Sequence, residues 1–219
     1  MALVLPWPAD AKGQGRVARE AARVLTRGGL VVFPTDTVYG LGADPSNPDA
    51  IRRIYRVKGR PDEKAIVWLV ESIDVVDNTC HVDRAARKLA RRFWPGPLTL
   101  ILARVQPAEG GPLTLGIRVP AHTAALSVIR AVGGAVATTS ANRSGEPSAR
   151  TAAEVADHIG QEVDLIIDGG ASPVGVESTV LDLTVEPPRI LRPGALPAEL
   201  LGDELDVDSA SLLRPTRSP

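Results

Sequence analysis

Two short polar clusters carry the residue types that could do chemistry, Lys58-Gly59-Arg60 and Ser140-Ala141-Asn142. The first offers fixed positive charge and the second neutral donors and acceptors. That division suits a site holding a polyphosphate with an attached sugar or base, because cations neutralise phosphate oxygens while short amides and hydroxyls read sugar hydroxyls and ring atoms. Asn142 could hold a phosphate oxygen or a ribose hydroxyl; the competing reading is an Asx-type turn ahead of Gly145. A Lys-x-Arg triplet is also, by itself, an ordinary solvated turn. Thr35 and Thr37 add hydroxyls, and Gly40 and Gly42 after them would let the main chain approach a ligand closely. The same threonines could equally satisfy local backbone groups.

Such clusters need elements to aim them. The β-prone apolar segment 29–33 runs into residues 34–42, which reads as a strand feeding a functional loop. Residues 16–27 place Val17, Ala21, Val24 and Leu25 on one helical face, and Gly28-Gly29 ends that helix. Asn47 or Asp49 caps a helix carrying Ile51, Ile54 and Tyr55, which delivers Lys58 at its C-terminal end. Further strands are predicted at 65–70, 98–103, 115–119, 135–139, 163–167 and 179–183, with helices at 83–93, 122–132 and 151–159. The strand at 135–139 leads into Ser140. This alternation predicts one α/β domain, and short connections such as that between 98–103 and 115–119 predict antiparallel pairing within a mixed sheet. The domain is expected to span 10–202. Residues 203–219, acidic and then rich in Ser, Pro and Arg, are expected to form a flexible tail.

Composition removes several function classes. The net charge of −1 over 219 residues argues against a protein that binds chiefly by blanket phosphate neutralisation. A single cysteine, Cys80, excludes an internal disulfide framework and cysteine-rich zinc sites, and points to a reducing, cytoplasmic setting. No stretch approaches the ~20 apolar residues that span a bilayer, and the N-terminus lacks a signal-peptide pattern. There is no P-loop motif, and Gly13-Gln14-Gly15 follows no strand as a dinucleotide fingerprint would. His81, His122 and His158 lack metal-ligand spacing and read as surface or hydrogen-bonding residues, so no protein-held metal is expected. Ser140 has no nucleophile-elbow motif, which makes a serine hydrolase a poor fit.

Taken in order, several blocks resemble the YrdC-like family in its single-domain form. They are the run from Phe33 to Gly42 (FPTDTVYGLG), Lys58 to Pro61 (KGRP), Phe93 to Thr99 (FWPGPLT), Ile117 to Pro120 (IRVP), Thr138 to Asn142 (TTSAN) with Ser144-Gly145, Gly175 with Glu177 to Thr179 (EST), and Ile190 to Gly194 (ILRPG). Members of that family are L-threonylcarbamoyladenylate synthases. The resemblance implies a twisted mixed parallel/antiparallel sheet with flanking helices around an open concave cleft. It also implies formation of threonylcarbamoyl-AMP and pyrophosphate from L-threonine, bicarbonate or CO2, and ATP with Mg²⁺.

Carried over residue by residue, the resemblance assigns ATP to Lys58, Arg60, Thr114, Ser140, Asn142, Ser148 and Arg192, with Lys58 and Arg60 as the catalytic cations. It assigns L-threonine to Thr35, Arg118, Thr138 and Ser178. Arg118 suits a carboxylate because its planar fork can pair with two oxygens. The segment 93–97 reads as a rigid helix-to-strand connection. The chain departs from the family at Asp62 to Leu69 (DEKAIVWL), where many members carry Asn-Pro and then a histidine near the amino-acid site. This bears on the shape of the threonine side-chain pocket, and Trp68 could be core instead. The implied partner is a transferase that places the threonylcarbamoyl group on the tRNA adenosine 3′ of the anticodon. Other classes are an RNA-binding module with a basic concave face, for which the aromatic content of 3% is low, and a related carbamoyl-adenylate enzyme.

Overall fold

Helices start where a short polar side chain takes up a free backbone N–H. In the computed structural model, which describes residues 2–59, 66–107 and 111–213, Asp10 caps α1 (Ala11–Thr26), Asn47 caps α2 (Pro48–Lys58) and Asp83 caps α3 (Arg84–Phe93). His122 caps α4 (Thr123–Val132), its Nδ1 accepting from Ala124 N–H at 3.1 Å, and Thr151 caps α5 (Ala152–Ile159). The hydrogen-bonding role expected of His122 is therefore a helix cap. Lys58 closes α2, and Gly59 beyond it takes the left-handed conformation at φ 58° that favours glycine.

The strands are β1 (Leu3–Pro6), β2 (Val31–Phe33), β3 (Gly40–Ala43), β4 (Val67–Val70), β5 (Leu98–Ala103), β6 (Thr114–Arg118), β7 (Ala135–Ser140), β8 (Leu165–Asp168), β9 (Thr179–Asp182) and β10 (Arg189–Arg192). They form one ten-stranded sheet in the order β1-β8-β2-β3-β7-β4-β6-β5-β9-β10. Pairing is mixed: β4 with β6 and β5 with β9 are parallel, while β5 with β6 is antiparallel, as the short connection between them predicted. The fold is thus a single α/β domain with a mixed sheet and flanking helices.

Period-2 alternation sorts the side chains by face. Leu98, Leu100 and Leu102 of β5 and Leu115 and Ile117 of β6 enter a core cluster with Leu89 of α3. Thr99, Gly116 and Arg118 alternate with them and so face the other way. On that opposite face, Val17 and Leu25 of α1 and Val128 and Ile129 of α4 cover Phe33, Leu69 and Val136. A further cluster joins Ile54 of α2 and Val155 of α5 to Val32 and Leu41. Helices α1 and α4 do not reach the part of their face that carries Gly40, Val67, Thr99, Arg118 and Thr138, and a cavity lies there.

Three expectations change. Residues 40–43 are strand β3, not loop, and the glycines serve neighbouring strands: a Cβ at Gly40 would lie 2.9 Å from Thr138 Cγ2, and one at Gly42 2.8 Å from Val136 Cγ1. Strand β1 lies ahead of residue 10 and pairs in parallel with β8. The tail expected to be flexible from Asp203 instead completes α6 (Ala198–Leu205) and forms α7 (Ser209–Leu212). Its acidic composition misleads because its few apolar residues are used: Leu212 is fully buried in the cluster that holds Leu100 and Ile117, and Leu205 and Val207 pack against it. Lys88 also sits 3.7 Å from Glu204 and 3.5 Å from Asp206. Residues 214–219 lie outside the described residues.

Candidate active site

The cavity has a volume of about 630 Å³ and is lined by parts of β3, β4, β5, β6, β7 and β10, by Lys58 at the end of α2, and by the segments after β2, after β7 and before β9. Strand register gives it two ends. Thr138 is level with Val67 and Gly116, whereas Arg118 is level with Leu69 and Val136. Ser140, two residues beyond Thr138 on antiparallel β7, therefore lies towards the start of β6, away from Arg118.

At the Ser140 end the two polar clusters meet. Lys58 is buried at the C-terminus of α2, and its Nζ donates to Ser140 O at 2.8 Å, Ser140 Oγ at 3.3 Å and Asn142 Oδ1 at 2.7 Å. Placing a cation there is favourable, since the helix C-terminus carries partial negative charge. Ser140 Oγ also donates to Asn142 Oδ1 at 2.6 Å, while Asn142 Nδ2 donates to Arg143 O at 2.9 Å and Glu146 O at 2.6 Å. Asn142 thus lines the cavity and also ties the turn after it, through its amide nitrogen rather than as an Asx-type turn. Arg60 lies outside the described residues. Thr114 does not line the cavity; it stands at the start of β6, on the face of Arg118 and ~13 Å along the strand from it.

At the other end Arg118 is held in place rather than poised on a flexible stem. Its Nη2 pairs with Asp36 Oδ1 at 2.6 Å, its Nη1 donates to Thr37 Oγ1 at 2.9 Å, and its Nε donates to Gly96 O at 2.9 Å. Both partners of the ion pair are buried, with side chains only 6% and 8% exposed. Burial pulls the Arg118 pKa down and Asp36 opposes that shift. The rigid connection at 93–97 thereby supports the site directly, through Gly96.

Asp36 Oδ1 also accepts from Ala121 N–H at 2.9 Å. Thr35 Oγ1 donates to Val38 O at 2.6 Å, lies 3.0 Å from Thr37 Oγ1, and still lines the cavity. Thr138 donates to Val136 O at 3.0 Å, and Ser178 Oγ is 2.8 Å from Thr99 Oγ1.

Glu177 accepts from Ser148 Oγ, in the loop after β7, at 2.7 Å and pairs with Arg192 of β10. Arg192 also donates to Ser178 O from Nε at 3.2 Å and from Nη2 at 2.9 Å. A register shift between Ile190 and Arg192 explains how consecutive residues Leu191 and Arg192 can both line the cavity, which a regular strand does not allow. Trp68 packs against the core with the Arg104 guanidinium 5.5 Å from its ring, so Val67 and Leu69 supply the apolar wall. Tyr39 closes the back, its hydroxyl donating to Gly170 O at 2.7 Å and its pKa pushed up to about 12 by burial.

Every described candidate except Thr114 therefore converges on one cavity. Sequence reasoning overlooked Asp36, Glu177 and Thr99 as parts of the site. Asp36 and Glu177 share a signal: a single carboxylate set among hydroxyls, glycine and apolar residues in a run otherwise suited to burial.

A mixed α/β sheet with a covered half and an open concave half, the latter lined by cations and hydroxyls, defines an α/β domain with a polar cleft. The chain belongs to the Sua5/YciO/YrdC family, whose model, described as telomere recombination, matches residues 23–194. It is 44% identical over 186 residues to the threonylcarbamoyl-AMP synthase of Pyrococcus abyssi (strain GE5 / Orsay), which covers 83% of this chain and 55% of that protein. With the threonylcarbamoyl-AMP synthase of Bacillus subtilis (strain 168) it shares 43% identity over 186 residues, 82% of this chain and 54% of that one. The crystal structure of P. abyssi Sua5 complexed with L-threonine is similar with a TM-score of 0.86 and 37% identity, over 100% of this chain and 66% of that chain. The chain spans about half the length of the curated relatives it matches.

Proposed function

We propose that this chain forms threonylcarbamoyl-AMP and pyrophosphate from L-threonine, bicarbonate or CO2, and ATP. The observation that carries this reading is the sharing of one cavity by the Lys58–Ser140–Asn142 cluster and the Arg118–Thr138–Ser178 set, which would hold a nucleotide beside an amino acid. The threonine amine adds to CO2 and loses a proton to give a carbamate. A carbamate oxygen then bonds to the α-phosphorus of ATP as the bond from that phosphorus to the bridging oxygen breaks, and pyrophosphate leaves with the electron pair. No protein nucleophile is needed; positioning and charge stabilisation suffice.

Arg118 binds the threonine carboxylate. A guanidinium has five N–H donors, and with Gly96, Thr37 and Asp36 each taking one, both terminal nitrogens keep a second N–H for the substrate. Thr35, Thr138 and Ser178 read its amino and hydroxyl groups. Lys58 and Arg60 are the cations assigned to the phosphates, Ser140, Asn142, Ser148 and Arg192 are assigned to the rest of the nucleotide, and Thr114 to its part further out along β6. Mg²⁺ enters with ATP and offsets triphosphate charge. Among the described residues no group of three or more His, Cys, Asp or Glu forms a metal-holding cluster.

The labile product calls for a transferase that moves the group to the tRNA adenosine 3′ of the anticodon. A cytoplasmic setting accords with the free, buried Cys80. Among the described residues no helix is long and apolar enough to cross a membrane. The test is pyrophosphate release from ATP and bicarbonate with and without L-threonine. Strict dependence on threonine is expected, and equal release without it would overturn the reading.

A further inference from the structure

We propose that Glu177 is a positioning residue that fastens two walls of the cleft by holding Ser148 and Arg192, an inference that rests on the nucleotide roles given to those two residues above. Each carboxylate oxygen is used, and for a different wall: Oε1 accepts from Ser148 Oγ at 2.7 Å and Oε2 pairs with Arg192 Nη1. Ser148 lies in the loop after β7, whereas Arg192 ends β10, and β4, β6, β5 and β9 stand between those strands. Only the curl of the sheet brings the two walls together, and Glu177 is where they are joined.

The backbone beneath it is clamped. Ala195 N–H donates to Glu177 O at 2.9 Å, and a Cβ on residue 194 would lie 2.4 Å from that oxygen, so Gly194 is required for the close approach. Stability alone does not account for the arrangement. The ion pair is partly solvated, with side chains 45% and 32% exposed, and pairs of that kind contribute little to folding. What it does is restrict a long, rotamer-rich arginine and a serine hydroxyl before a ligand arrives, which lowers the ordering cost of binding. A bare carboxylate would repel a triphosphate, so Glu177 acts through Arg192 and Ser148 rather than as a ligand itself.

Calorimetric titrations with ATP test this on Glu177→Gln and Glu177→Ala. The alanine variant should weaken ATP on the order of tenfold. The glutamine variant keeps an acceptor for Ser148 and should fall between wild type and alanine. In an Arg192→Ala background, Glu177→Gln should add less than about a twofold change, because residues acting as one unit are not additive. Should the alanine variant fail to fold, the glutamine variant and this cycle carry the test. Unchanged or tighter ATP binding in Glu177→Gln, or full additivity with Arg192→Ala, overturns the proposal. Arg192→Ala and Ser148→Ala are measured alongside: wild-type ATP binding in both removes the underlying nucleotide assignment as well, whereas weakened binding there with normal binding in the Glu177 variants overturns the positioning role alone.

Discussion

Arg118 shows how a residue's neighbours decide what it can offer a substrate. An unpaired guanidinium in this position would be expensive to bury, and Asp36 offsets that cost while orienting the fork. Arg118→Lys should raise the threonine KM with little change in the ATP KM, since a point charge cannot replace planar, two-point recognition; unchanged threonine binding by calorimetry would defeat the assignment. Asn142 is a different case. Its amide is satisfied on both sides by Lys58, Ser140, Arg143 O and Glu146 O. Asn142→Ala is therefore expected to lose ATP affinity and also about 1–3 kcal/mol of stability, because it leaves buried groups without partners. Urea unfolding alongside ATP titration separates the two effects, and a variant as stable as wild type would show the turn bonds to be dispensable.

Among the elements, α4 depends on an unusual cap. His122 must be neutral to accept from Ala124 N–H, and burial lowers its pKa from the ordinary 6.5, against a smaller opposing pull from Asp36. Below pH 6.5 the unfolded chain binds a proton that the folded chain resists, so stability from this group is complete above that pH and declines as pH falls towards the lowered folded value. His122→Asn keeps a capping side chain and removes the titration. Its melting temperature should fall less than that of wild type between pH 7 and about pH 5, and parallel losses in the two proteins would show that His122 does not contribute. Most elements were legible from periodicity and caps: α2 starts at Asn47 and carries Lys58 to its end, and β5 spans 98–103 as predicted. β3 was not legible, because a Gly-Leu-Gly-Ala run has no alternation of apolar and polar side chains to signal a strand, and its glycines matter only once β2 and β7 lie on either side.

For the molecule as a whole, the C-terminal helices finish a core that the sheet alone leaves open. Leu212 sits fully buried in the core cluster that also holds Leu100, Ile117 and Leu201. Leu212→Ala should cost about 2–5 kcal/mol in chemical denaturation, while threonine and ATP affinities of the folded variant stay near wild type because α7 packs on the face opposite the cavity. A loss below about 0.5 kcal/mol would return this segment to the status of a dispensable surface tail.

The sequence by itself determined the chemistry available: which cations, hydroxyls and amides exist, where most helices and strands begin, and, through its ordered motif blocks, the family. These are local properties, set by side-chain type and by hydrogen bonds reaching only a few residues along the chain. Tertiary structure decided which groups work together. Lys58 meets Ser140 and Asn142 across more than eighty residues, Asp36 meets Arg118 over a similar interval, and Ser148 meets Arg192 through Glu177. No spacing rule encodes those meetings, because they follow from strand order, register and the curl of one mixed sheet, which packing sets over the whole chain at once.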